Sequence, residues 1–240
     1  MKNKDINLMQ LEAVATALGG LLSHVTFVGG STTVLLVDEA AHFGVRKTDD
    51  VDVIIDVATL VEYHKFSQRL RDLGFREDTD GPICRWLIET KTGKLKLDVM
   101  PIDETILGFS NRWYKAAIKE ATEIALPNGI VIRVVSPAYF LATKFEAFAG
   151  RGEGDYFSHD MEDIVFVMEN RNRLIVELMD CSSELKQYFA GQATLLLNDD
   201  FLNVLPGLLN NQDSAGVVEN SLNIMKSWAL VKYGQSKGSE

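Results

Sequence analysis

Cysteine, histidine and positive charge are what this chain is short of. Its two cysteines, Cys84 and Cys181, stand far apart in 240 residues and form no C-x-x-C spacing. That excludes a disulfide-stapled scaffold and a cysteine-built zinc site, and it is the usage of a reduced, cytoplasmic compartment. The four histidines, His24, His42, His64 and His159, make no H-x-x-H pattern, so a histidine zinc centre has nothing to recommend it. With 24 basic against 34 acidic residues the formal net charge is -10, which excludes a uniformly basic nucleic-acid surface; any such contact must be local. Long apolar runs are missing too. The run 164–168 is typical of the longest and falls far below the roughly 20 residues that span a bilayer. Residues 1–7 are polar with no apolar h-region, so a soluble, unprocessed protein without membrane association is expected.

What is present is enough apolar material, 46% of residues, for one large core or two modest ones. The first two thirds alternate short strand-like runs with helical stretches, and the last third is helical in period throughout, which predicts an α/β (α+β) lobe with a mixed sheet followed by a helical lobe. The boundary is placed at Ser136, giving domains 1–135 and 136–240. Residues 25–28 read as a strand closed by Gly29-Gly30, and 31–37 as the first turns of a helix. In 51–57 Val51, Val53, Ile55 and Val57 alternate with Asp52, Ile54 and Asp56, one face toward the core. A helix over 59–73 capped by Gly74 comes next, then a hairpin of 83–89 and 94–100 around Thr92-Gly93. A helix over 112–122 precedes a second hairpin of 123–126 and 130–135 turning at Pro127-Asn128-Gly129. Ser136-Pro137 opens a helix running to about Ala149, and a glycine-rich loop separates it from a helix starting near Ser158.

Chemistry is suggested by carboxylates. Asp50 and Asp52 are two apart on a strand, so they project from one face with Cα atoms about 6.5–7 Å apart. Like charges so close need solvent or a cation, and Mg²⁺ takes such oxygen ligands. Asp98 sits opposite an apolar stripe and supplies a third carboxylate if its strand lies beside the first, as base toward an acceptor hydroxyl and ligand of a second metal. Gly29 and Gly30 permit close backbone approach, Ser31 adds a hydroxyl, and Arg46 offers a cation to a triphosphate. Alone, a Gly-Gly after a strand is usually a turn, and an Asp pair on a strand is usually a solvated face. Their order along the chain is what makes a site of them.

Phe27-Val28-Gly29-Gly30-Ser31, then Thr48-Asp49-Asp50-Val51-Asp52-Val53, then Leu97-Asp98-Val99 resemble the signature of the polymerase-beta-like nucleotidyltransferases. More narrowly, Arg46-x-Thr48-x-Asp50-Val51-Asp52, Leu141-Ala142-x-Lys144, Arg151 and His159-Asp160-x-x-Asp163 are similar to the AbiEii/MenT toxin-type group, over about 25–167. The resemblance implies nucleotide-phosphate binding by Gly29, Gly30 and Ser31, metal binding by Asp50 and Asp52, and a site completed by Lys144 and Asp160, with Asp163 as the alternative. It also implies that the helical lobe closes the nucleotide site. Many relatives carry lysine where this chain has His159, and many have a weaker third carboxylate than Asp98. Without the resemblance, Lys144 on an amphipathic helix reads as solvated, and Asp160 and Asp163 as a cap or solvated pair. The implied activity is Mg²⁺-dependent transfer of NMP from an NTP to an RNA such as a tRNA 3′ end, in a toxin-antitoxin setting with an antitoxin protein as partner. Nucleotidylation of a small molecule such as an aminoglycoside, and a catalytically silent nucleotide-binding scaffold, are the alternatives. For RNA the nearby cations are Arg46, Lys47, Arg85, Lys94, Lys96, Lys144 and Arg151.

Overall fold

A computed structural model describes residues 3–90, 93–150, 152 and 154–229. The chain folds as two compact units, Met1–Thr143 and Lys144–Glu240. In the first, a helix α1 (Asn3–Leu18) leads through a 3-10 turn (Gly19–His24) into β1 (Val25–Val28). After Gly29 comes a 3-10 turn, Gly30–Thr32, and a single helical turn α2 (Thr33–Leu36). Then follow β2 (Val51–Ile55), α3 (Leu60–Asp72), β3 (Arg76–Glu77), β4 (Arg85–Thr90) and β5 (Gly93–Pro101). The helices α4 (Glu104–Leu107) and α5 (Tyr114–Lys119) precede the hairpin β6 (Thr122–Ala125) and β7 (Val131–Val134). Among the described residues seven strands form one mixed sheet in the order β3-β4-β5-β2-β1-β7-β6, with β2 antiparallel to β1 and parallel to β5. This is the mixed sheet that the alternation of strand and helix signals predicts.

Local chemistry explains several of these elements. Thr59 caps α3, its hydroxyl accepting from the Glu62 amide while the Glu62 carboxylate accepts from the Thr59 hydroxyl at 2.9 Å, a reciprocal cap of the Thr-x-x-Glu kind. Gly74 follows with φ 91°, which a side chain would resist. The strand 51–57 ends two residues early, and Ile54 is as buried as Val53. Pairing on both edges, with α1 and α5 both touching it, makes β2 a central strand without a solvent face at that end.

The helix α1 has no counterpart among the expected elements. Its apolar residues come in runs of at most three, split by single polar ones, so no long run marks it, yet Leu11, Val14 and Leu18, and Leu21 in the 3-10 turn that follows, are at most 1% exposed. By length and composition alone the segment Asp5–His24 is apolar enough to cross a membrane, which corrects the expectation that nothing in the chain approaches that length; a third of it is buried, with Leu11, Val14, Leu18 and Leu21 in the core of the first unit.

The division between the units falls inside α6 (Pro137–Ala149). Tyr139 packs against Trp113 with ring centroids 6.2 Å apart, and the Thr143 carbonyl accepts from the Asn111 side chain at 3.0 Å, so the first half of α6 belongs with the sheet. The second unit holds the rest of α6 with α7 (His159–Asn170), α8 (Leu174–Met179), α9 (Ser183–Leu196), α10 (Asp199–Leu208) and α11 (Ala215–Ser227). There α11 packs on α7 and α9. Ser158, Ser182 and Asn198 each cap the helix that follows them by accepting from its third residue.

Candidate functional site

Three aspartates meet on one face of the sheet in the first unit. Val28 is the register partner of Asp52 on β1, and Asp98 is its partner on β5, so Asp52 and Asp98 stand side by side with Asp50 two positions before Asp52. Gly29 leaves β1 at φ 72° and ψ -174°, a conformation open essentially to glycine alone. A Cβ placed on Gly29 would lie 1.9 Å from Oδ2 of Asp52. The Asp52 carboxylate therefore lies directly against the glycine backbone, and the Gly-Gly turn and the Asp-Val-Asp strand are two halves of one feature. Gly29's carbonyl accepts from both the amide and the hydroxyl of Thr32, at 3.1 and 2.8 Å, which fixes the turn.

Beyond the turn the helix is shorter than expected. The 3-10 turn from Gly30 and the four residues of α2 end at Leu36, too short for the aligned dipole of a long helix to develop. Ser31 is fully buried and its hydroxyl has no hydrogen-bond partner. An orphaned buried hydroxyl costs about 1–3 kcal/mol, the kind of cost found where a ligand supplies the missing partner. Arg46 and Thr48 are held by the buried Asn7, which donates to the Arg46 carbonyl at 2.8 Å and accepts from the Thr48 amide at 3.1 Å.

Arg85, expected only as one of the nearby cations for RNA, is tied into this cluster by the carboxylates themselves. Its Nε and Nη2 donate to the two oxygens of Asp98, both at 2.8 Å, and Nη2 also donates to Oδ2 of Asp50 at 2.5 Å. The Arg85 side chain is 15% exposed and that of Asp98 10%, so this is a largely desolvated, forked pair of the strong kind. The hydrogen bond that Arg85 donates to Asp98 pushes the Arg85 pKa above its ordinary value despite burial. Neighbouring Cys84 is buried, and burial first, then the charges of Asp98 and Asp52, push its thiol up to about 12. A signal for Arg85 existed in the hairpin register. A turn centred on Thr92-Gly93 would set Leu87 opposite Asp98, whereas the observed pairing of Thr90 with Gly93 sets Arg85 there. Sliding the turn by one residue moves the partner by two, which keeps the face and changes the side chain.

Among the described residues no group of three or more His, Cys, Asp or Glu side chains is gathered to hold a metal ion. Asp50 and Asp52 offer oxygen donors of the type that suits one divalent cation. Both oxygens of Asp98, the residue expected as a second ligand and base, accept from Arg85, and Oδ2 of Asp50 accepts from the same guanidinium.

Lys144, Asp160 and Asp163 form a second cluster, in the helical unit. The Lys144 ammonium lies 2.9 Å from Asp160 and 2.8 Å from Asp163, with side-chain exposures of 9%, 7% and 4%. Lys144 is thus neither solvated nor idle: it is the shared counter-ion of two buried carboxylates. Burial depresses its pKa, but the charges of Asp163 and then Asp160 outweigh burial and raise it. The choice between Asp160 and Asp163 dissolves, since both bind the same ammonium. His159 is exposed and its Nδ1 lies 2.8 Å from Glu162, while Arg151 lies outside the described residues.

A hollow of about 400 Å³ opens at the other end of β2, lined in part by His24, Asp56, Lys65 and Arg133. It contains no predicted site residue. The carboxylate end is the better candidate, because only there do a close-approach glycine and clustered charges coincide.

No family model and no curated protein matches the chain. Among solved structures it is similar to an antigenic nucleotidyltransferase-like protein from Paracoccidioides brasiliensis, at 18% identity and a TM-score of 0.54, over 86% of this chain and 98% of that one. The fold is nucleotidyltransferase-like. In that fold the Gly29 turn, Asp50, Asp52 and Asp98 lie together on one end of the sheet.

Proposed function

We propose that this protein is a nucleotidyltransferase that binds an NTP at the Gly29-Gly30 turn and moves its nucleoside monophosphate onto an acceptor hydroxyl. The acceptor oxygen bonds to the α-phosphorus as the bond to the β-phosphate bridging oxygen breaks, pyrophosphate leaves, and the hydroxyl proton passes to water. The observation that carries this reading is the contact of Gly29 with the Asp52 carboxylate, on a fold of nucleotidyltransferase type. It serves no purpose in a plain turn, and it brings backbone amides beside a carboxylate pair. Asp50 and Asp52 are the residues that would hold Mg²⁺, which would supply charge neutralisation beside the phosphates. The chain's own contribution is to position: Gly29 admits phosphate oxygens close to the backbone, the buried Ser31 hydroxyl is a donor in reserve, and Asn7 holds the loop that carries Arg46.

We place the acceptor in RNA, a tRNA 3′ end, in a cytoplasmic toxin-antitoxin setting with an antitoxin protein as partner; the resemblance to the AbiEii/MenT group supports it. A small cationic acceptor such as an aminoglycoside is the second reading. The net charge of -10 favours it, as do the internal pairing of Arg85 and Lys144, which removes two cations from the surface available to RNA. The test is incubation with each labelled NTP, Mg²⁺ and cell extract, beside an Asp52→Asn control. Label on RNA supports the first reading and label confined to small molecules the second. No labelled product with any NTP, or a folded Asp52→Asn protein turning over like wild type, sinks nucleotidyl transfer at this site.

A further inference from the structure

The hollow at the far end of β2 is lined by three cations, Lys65, Arg69 and Arg133, and among the described residues none of them is in an ion pair. Lys65 and Arg69 stand four apart on α3, a spacing at which like charges repel across one turn. The usual relief is a carboxylate three or four residues away on the same face. Both carboxylates placed to give it are engaged elsewhere: Oε2 of Glu62 accepts from the Thr59 hydroxyl at 2.9 Å, and Oδ1 of Asp72 accepts from the Gln68 amide at 2.9 Å. Arg133 on β7 is half-buried, and its Nη2 donates to the Ile118 carbonyl. That bond accounts for where the side chain lies but not for its charge, since a neutral amide would serve a carbonyl as well. A part-buried guanidinium without a counter-ion is costly. Glu123 is its register partner on β6, yet the two form no ion pair.

We propose that this hollow binds a small phosphate monoester, its phosphate among Lys65, Arg69 and Arg133. Such a group carries about -1.5 to -2 charges near neutral pH and three acceptor oxygens, and so answers all three cations where a carboxylate would leave one short. The volume of about 400 Å³ lies within the roughly 300–1,000 Å³ of small-molecule sites and leaves room beside the phosphate for an organic part. Buried Ile55 and Phe66 give that part an apolar floor, and the exposed Asp56 carboxylate can accept from its hydroxyls. In a chain of net charge -10, which repels anions overall, convergence of three such cations from two elements on one hollow is a local exception. The site lies apart from the carboxylate end and does not depend on nucleotidyl transfer there.

The test is calorimetric titration in EDTA with inorganic phosphate, ribose 5-phosphate and phenyl phosphate, the two esters differing in whether hydroxyls or an apolar ring accompany the phosphate. At least one ester should bind at one per chain and more tightly than inorganic phosphate. Lys65→Glu and Arg69→Glu should each weaken that ester about tenfold or more, the scale of a lost charge-assisted hydrogen bond. Arg133→Gln, which keeps a donor for the Ile118 carbonyl and removes the charge, should do the same. Lys226→Glu, exposed on α11 in the other unit, alters net charge equally and should leave binding within about twofold. Neither ester binding more tightly than inorganic phosphate, or Lys65→Glu and Arg69→Glu binding like wild type, overturns the proposal; so does Lys226→Glu weakening binding as much as they do. Should Arg133→Gln not fold, the exposed Lys65 and Arg69 positions decide, since neither is part of the core.

Discussion

Alanine at position 29 tests the candidate site more sharply than removal of any charge. Gly29 sits at φ 72° and ψ -174°, where a residue with a side chain is strained by about 1–3 kcal/mol. The added Cβ would lie 1.9 Å from Oδ2 of Asp52 and 2.7 Å from its carboxylate carbon, so the carboxylate must move, and forced repacking of this kind costs a further 1–3 kcal/mol, roughly. Gly29→Ala should then lose roughly 2–6 kcal/mol of stability. The two contributions separate in a double-mutant cycle. Asp52→Ala removes the overlap with the carboxylate, leaving only the Cβ of residue 52 at 2.9 Å, but not the backbone strain, so Gly29→Ala should cost about 1–3 kcal/mol less in that background. Urea unfolding followed by the fluorescence of Trp86 and Trp113, both buried in the first unit, reads all four proteins. Gly29→Ala should also lose Mn²⁺ binding, because its displaced carboxylate is a proposed ligand. Costs that add to within about 0.5 kcal/mol would mean that Gly29 and Asp52 do not touch, and the geometry that carries the functional reading would be gone.

Two further outcomes are expected. Lys144→Met strands two buried carboxylates 2.8 and 2.9 Å from the missing ammonium and should cost about 3–5 kcal/mol, or roughly 6–20 °C in melting temperature; adding Asp160→Asn and Asp163→Asn should recover part of it, and melting like wild type would show that Lys144 is solvated. Because the folded pKa of Lys144 is raised, its contribution is complete below the unfolded value of about 10.4 and is lost as pH rises through the folded one, so calorimetry should show this stabilisation flat from neutral pH to about 10 and Lys144→Met missing the alkaline decline. If RNA is the acceptor, the cations expected to meet it include Arg46, Lys47, Lys94 and Lys96; four phosphate contacts give a slope of log affinity against log salt of roughly -3 to -4, which Lys94→Glu should flatten by about 1 while NTP binding is spared, and a slope near zero would remove RNA from consideration.

Most of the sheet and the helix starts were legible because they are written in local chemistry: valines alternating through β2, the Thr59 cap of α3, Ser136-Pro137 ahead of α6 and Ser158 ahead of α7. The order of Gly29-Gly30, Asp50, Asp52 and Asp98 along the chain was likewise enough to nominate one cluster. Three things were not legible. The helix α1 hides because its apolar face is read only once it is known to be helical. Lys144 reads as a surface lysine until the fold brings Asp160 and Asp163, a helix away, onto its ammonium. Arg85 reads as any strand arginine, since its meaning depends on a hairpin register that a one-residue shift of the turn changes. The sequence by itself determined which residues could carry charge and where backbone could bend, because those are properties of single side chains and their neighbours in the chain. Only the tertiary structure decided which charge meets which, because the distances between strands and between helices that set an ion pair at 2.8 Å are fixed by packing across the fold and leave no local trace.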